Sequence, residues 1–222
     1  MWQNRRWKPP AIPALAVSLV AVLSFGAPRA DAEPRVTGEV VFEVQNDWTY
    51  DSEDPNNELN DLFTTTEPDI NFYATDGIYL NAHLTLEPVL DPEPRDDRFF
   101  EDHGLFVEAL SLNLERGRFH VFGGKFGPNF SIAFDAAPGI YGTDISEDDI
   151  EISEQLGVGG DVLFGSERVG THALSASVFF ADTTALSESA FENRGRVNVR
   201  DGGPSNTGDL SSFAVGLDGG GF

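Results

Sequence analysis

The feature that most limits how this chain can fold is a hydrophobic alternation of period two that keeps returning after residue 35. Between Val36 and Gln45 one face reads Val36, Gly38, Val40, Phe42, Val44, and the other Thr37, Glu39, Val41, Glu43, Gln45. Further on, Ile78, Leu80, Ala82, Leu84 and Leu86 alternate with Tyr79, Asn81, His83, Thr85 and Glu87. Ile70/Phe72/Ala74, Leu156/Val158/Gly160/Val162/Phe164, Leu174/Ala176/Val178/Phe180 and Phe213/Val215/Leu217 repeat the pattern. Strand side chains point alternately to two faces, so each segment is a strand with one apolar and one polar side. The sequence predicts strands at 36–48, 63–74, 77–90, 104–115, 118–126, 152–164, 170–181 and 211–217.

A soluble sandwich would show the same alternation, and the connections separate the two. Thr75-Asp76, Arg116-Gly117 and Gly165 to Val169 are short; Thr49–Leu62, Asp91–His103, Gly127–Glu151 and Asp182–Leu210 are long and polar. Alternating short and long links mark an outer-membrane barrel with tight periplasmic turns and long external loops. Greek-key crossings give no reason for that order. The expected fold is all-β: a transmembrane antiparallel β-barrel with about eight strands visible.

The N-terminus agrees with export. Arg5, Arg6 and Lys8 precede an apolar run, Ala14 to Phe25, and then Ala30-Asp31-Ala32, the three parts of a secretory signal peptide. The run is short for a helical membrane anchor, which needs about 20 residues. The expected division is a signal peptide over 1–32 and the barrel over 33–222. Removing the leader's four basic residues and one acid leaves 10 Lys+Arg against 36 Asp+Glu, a net charge of −26. Such a surface argues against nucleic acid as a partner, because phosphate contacts need Lys and Arg. High charge with low hydropathy also describes disordered chains, but 18 Phe, 3 Trp and 4 Tyr with strand patterning do not. There is no cysteine, hence neither a disulfide framework nor a thiolate metal site.

Aromatics fall where a membrane interface would want them: Trp48, Tyr50 and Phe63 by the first long link, and Phe72, Tyr73, Tyr79, Phe119 and Phe164 near the short turns. Two strands conflict with a clean apolar face. Glu108 interrupts Phe106/Leu110/Leu112/Leu114, and either Lys125 or the pair Arg118/His120 must face outward. A bulge at Gly123-Gly124 would switch the facing.

No acid–base set for catalysis can be named around His83, His103, His120 and His172, so no enzyme and no cofactor is expected. The expected pore lining is Glu39, Glu43, Asn81, His83, Thr85, Lys125, Ser175 and Ser177. Asp135, Asp144, Glu147, Asp148, Asp149 and Glu151 concentrate acid in the longest early link. Oxygen ligands suit Ca²⁺ or Mg²⁺, but the EF-hand spacing is missing, and a solvated acidic loop is the simpler reading. A second acidic set, Asp91 to Asp102, has Arg95 and Arg98 within it.

The stretch FGGKFGPNFSIAFDAAPGIYGTDISEDDIEISEQLG, from Phe122 to Gly157, resembles the Gly-Gly-Lys-Phe strand, long loop and Glu-Gln-Leu-Gly return of the phosphate-selective porin-like superfamily. The resemblance implies a 16-stranded homotrimeric barrel, surrounded by outer-membrane lipid and lipopolysaccharide and passing small hydrophilic solutes or ions. It also implies that Gly127–Glu151 is an inward constriction loop. Phosphate selectivity does not follow, since those pores rely on lysines and this chain has one after its leader, Lys125. The ending Asp218-Gly-Gly-Gly-Phe resembles a turn opening another hairpin, so the barrel is expected to be incomplete at its C-terminus. The competing expectation is a small eight-stranded structural or adhesive barrel with a filled interior.

Overall fold

The computed structural model describes residues 14–25, 34–130, 152–166, 170–202 and 205–220. In chain order the strands are β1 (Ala14–Phe25), β2 (Arg35–Thr49), β3 (Leu59–Thr75), β4 (Ile78–Pro88), β5 (Arg98–Phe99), β6 (His103–Arg116), β7 (Phe119–Phe126), β8 (Gln155–Ser166), β9 (Gly170–Ala181), β10 (Ala190–Phe191) and β11 (Ser212–Gly220). Every predicted strand is present, and the links among the described residues carry only single-turn 3-10 segments and the two-residue strands β5 and β10. The strands form one sheet in the order β1-β2-β3-β4-β6-β7-β8-β9-β11, each antiparallel to its neighbour. This is an up-and-down meander, open along β1 and β11. The short strands join its margins: β5 lies parallel to β3, and β10 is antiparallel to β6.

The period-two pattern sorts the sheet into two unlike faces. Residues directly opposite one another share a face, and one such row runs Val36, Phe72, Leu80, Leu112, Gly123, Val158, Val178, Phe213 across eight strands. Its seven side chains are all apolar and between 38% and 74% exposed. The adjacent row, one residue along, reads Thr37, Asn71, Asn81, Ser111, Gly124, Gly157, Phe179, Ser212, and its larger members are half-buried or buried. Burial is therefore inverted relative to a soluble protein. The accessible area, 15175 Å², compares with about 10,000 Å² for a compact soluble chain of 24.1 kDa.

The chain segment read as the leader's apolar run forms β1, paired with β2 from Ala14↔Thr49 to Phe25↔Gly38. It lacks the two-faced pattern of the other strands: Leu19, Val20, Val22 and Leu23 are each more than half exposed.

The register resolves the facing of the two strands whose pattern was ambiguous. The β4–β6 register shifts between His83 and Leu84, which pair with Ala109 and Val107, so Glu108 is the extra residue of a β-bulge. The bulge turns Phe106 and Glu108 toward the polar face while Leu110, Leu112 and Leu114 stay on the apolar one. At Gly123-Gly124 the register with β6 and β8 is continuous, with no bulge. His120 lies on the polar face, which puts Lys125 on the other parity, and its charge is neutralised there by ion pairs described below.

A few glycines make close approach possible on β8. A Cβ on Gly157 would lie 2.2 Å from the Val178 carbonyl oxygen, and one on Gly159 would lie 2.5 Å from the Phe122 ring. Phe122 fills the space over Gly159 and meets Phe126 edge-on at 4.8 Å; Phe126 in turn meets Phe179. With Ile152 these rings make the small apolar core. It sits on the polar face, toward the ends of β7 and β8 where the long links begin.

Candidate functional site

The polar face carries hydrogen-bonded networks built by the register. Asn81 and Asn71 are directly opposite, and Asp69 lies one step further along β3. Asn81 Nδ2 donates to both Asp69 oxygens and to Asn71 Oδ1, each at 3.1 Å. The bulge brings Glu108 within reach of β4, where Thr85 Oγ1 donates to Glu108 Oε2 at 2.7 Å and His83 Nε2 lies 3.6 Å away. On the β6–β7–β8 side, Asn113 Nδ2 donates to Ser111 O and Oγ, which turns its Oδ1 to His120 Nε2 at 2.9 Å. The other ring nitrogen, His120 Nδ1, meets Asp161 Oδ1 at 2.8 Å. These bonds hold polar side chains in fixed rotamers along the sheet.

Glu39, Glu43, Asn81, His83, Thr85, Ser175 and Ser177 all belong to this face by register. Lys125, grouped with them in the sequence reading, is instead fully buried. Its Nζ lies 2.7 Å from Glu154 Oε2, 3.0 Å from Asp182 Oδ2 and 2.8 Å from the Leu186 carbonyl. Burial opposes ionisation of Asp182, but hydrogen bonds from the Thr184 hydroxyl and backbone and from Lys125 outweigh it and hold the carboxyl below its ordinary range. Asp135, Asp144, Glu147, Asp148, Asp149 and Glu151 lie outside the described residues. The flanks of their link are described, and both meet the polar face: Asn129 donates to Ser175 Oγ and Asp218 Oδ2, and Ile152 packs on Phe126 and Phe179. Asn129, Asp161, Ser175, Ser177 and Asp218 line a cavity of about 380 Å³ against Phe122.

Charge balance on this face favours the acids. Arg98 makes two bonds to Asp61, at 2.8 and 2.5 Å, and approaches Asp102 at 3.7 Å. Arg194 bonds both oxygens of Glu154, Arg35 pairs with Asp76, and Arg196 with Glu188. Among the described residues, Glu43 and Glu67 make no ion pair with Lys or Arg, and Glu67 has Glu108, His83 and Glu43 as its charged neighbours on the β2–β3–β4–β6 part of the sheet. No three His, Asp or Glu side chains among the described residues come together as a metal site.

Several partners escaped the sequence reading. Arg98 does pair within its own link, with Asp102 at 3.7 Å, but its closer partner is Asp61, 37 residues away. Glu154, Asp182 and Arg194 were not singled out, although a lone lysine in a strand signals that carboxylates must meet it if it is buried. Of the expected interface aromatics, Phe72, Phe119 and Phe164 are exposed, as are Trp48 and Tyr50. Phe63, Tyr73 and Tyr79 instead belong to the polar face, where Tyr79 donates to Glu115 and Arg35 stacks on Tyr73. Compared with known protein families, curated proteins and solved structures, the chain matches none.

Proposed function

We propose that this sheet is a wall sector of a transmembrane antiparallel β-barrel in the outer membrane of a Gram-negative bacterium, exported by the leader over 1–32. It acts as a porin-like channel for passive diffusion of ions and small hydrophilic solutes. The observation that carries the reading is the exposed apolar row across eight strands, backed by a hydrogen-bonded polar face. In water that row would be an exposed patch far larger than a soluble monomer tolerates; against outer-membrane lipid and lipopolysaccharide it is the expected surface. All the long strands but β7, which has 8 residues, reach the roughly 9–11 residues needed to cross a tilted bilayer path. Closure requires β2 and β11 to find partners, and the family resemblance implies 16 strands and a trimer in the complete barrel.

The channel prefers cations, weakly. Five of the nine described Lys and Arg side chains, Arg35, Arg98, Lys125, Arg194 and Arg196, are paired with carboxylates, while Glu43 and Glu67 have no Lys or Arg partner, and a low-dielectric wall concentrates that field. Reversal potentials of the full-length protein in a planar bilayer under a KCl gradient test this. Cation preference that fades with salt is expected; chloride or phosphate preference at low salt would overturn it. A second reading, a filled eight-stranded structural barrel, is favoured by the Phe122, Phe126, Phe179 and Ile152 cluster on the polar face. It predicts a heat-modifiable outer-membrane protein without conductance.

A further inference from the structure

The connection from β9 to β11 does not hang free. It leaves Ala181, passes the loop ends of β8 and β7, and pairs as β10 with the start of β6, at Ala190↔Leu105 and Phe191↔Gly104. Glu192 N continues that ladder to His103 O at 3.2 Å. Three features hold it there. Lys125 at the end of β7 is wrapped by Asp182 and the Leu186 carbonyl. Arg194 makes two bonds to Glu154, at 2.8 and 2.5 Å, and its guanidinium stands 3.7 Å over the Phe106 ring. Glu154 therefore joins Lys125 and Arg194 through one carboxylate. Gly104 admits the backbone closely, since a Cβ there would lie 3.0 Å from Glu192 O. The segment is also tied to itself: Ser187 is fully buried and bonds Thr184 O and Val197 N, and Ser189 Oγ accepts from Arg194 N.

We infer that Asp182–Arg200 is a latched strap which closes the notch above the short strand β7, with Glu154 as the latch that joins β7, β8 and the strap. β7 ends at Phe126, one residue past the Leu110↔Lys125 pair, so the β7 side of β6 from Ala109 back to His103 has no long strand beside it. An uncovered edge there would leave backbone donors and acceptors unpaired at the rim of the wall. The strap covers part of it and seals the gap through which the chain leaves at Gly127 and returns at Ile152. Releasing the latch frees the strap and unsteadies the rim of the channel; that last consequence rests on the function proposed above, whereas the latch itself does not.

The test uses the full-length chain folded in lipid vesicles, with E154Q and R194Q, and with A190C/L105C placed in the unaltered and E154Q chains. Trypsin is the probe, because Arg194, Arg196 and Arg200 lie within the strap. We expect the parent to resist cleavage there, E154Q to be cut at least ten-fold faster at Arg194 to Arg200, and R194Q likewise at the two remaining sites. The A190C/L105C disulfide should form in the unaltered folded chain and restore resistance to E154Q. Bilayer recordings should show more current fluctuation in R194Q than in the parent. Strap cleavage unchanged in both variants, or a folded parent that does not form the disulfide, would overturn the latch. A latch that behaves as expected in protein without conductance would strike the channel reading alone.

Discussion

Replacing Ala82 with arginine measures what the apolar face looks out on. Ala82 is the middle of the five apolar-face positions of β4, Ile78 to Leu86, and its partners Ile70 and Leu110 are apolar. At about 3.4 Å per residue those positions span roughly 27 Å along the strand, or about 20 Å along the membrane normal at a tilt near 40°. Ala82 thus sits about 10 Å from either edge of the band. The substitution removes almost no packing, so its cost is that of the charge. In a bilayer this is about 2–4 kcal/mol near the midplane; on a water-exposed sheet it stays within about 0.5 kcal/mol. Denaturant titrations in lipid vesicles, followed by tryptophan fluorescence, read the difference, with Ala82→Leu as the neutral control. The neighbouring Asn81→Arg places the same charge on the polar face beside Asp69, whose oxygens lie 3.1 Å from Asn81 Nδ2, and should be tolerated. Equal effects at 81 and 82, or a cost below about 0.5 kcal/mol for Ala82→Arg, would refute the assignment of faces, because a one-residue slip exchanges them.

Three further outcomes follow from the packing. Lys125→Met leaves Asp182 buried without its cation and should lower unfolding free energy by about 3–5 kcal/mol in the same titration. Asp182 is held below its ordinary pKa of 3.8, so the stability it contributes is complete above that value and is lost as pH falls through the lower folded one. The stability difference between the parent and Asp182→Asn should be constant above about pH 5 and shrink below about pH 4. Gly157→Ala forces a methyl to within 2.2 Å of Val178 O and should cost about 1–3 kcal/mol, seen as a lower denaturation midpoint.

The meander was legible because its information is local. Alternation over Ile78–Glu87 and the turn at Arg116-Gly117 specify strand, facing and neighbour together. What depends on two distant segments was not. Glu108 looked like an error on an apolar face until the β4 register showed it to be a bulge residue. Phe63, Tyr73 and Tyr79 looked like interface aromatics because composition near a strand end says nothing of strand parity against a partner. Lys125 carried the correct warning, but its acceptors come from positions 154 and 182, which no spacing rule connects to it.

The same contrast between near and far pairing orders the assembly of the molecule. Along the main path each strand bonds to one close to it in sequence, so the sheet can grow hairpin by hairpin with small loop-closure entropy at each step. The β10–β6 pair joins residues 85 and 87 positions apart and has nothing to dock on until β6, β7, β8 and β9 are side by side. Its formation comes last, and protection of the Phe191 and Glu192 amides from exchange becomes a clock for the completion of this half of the sheet.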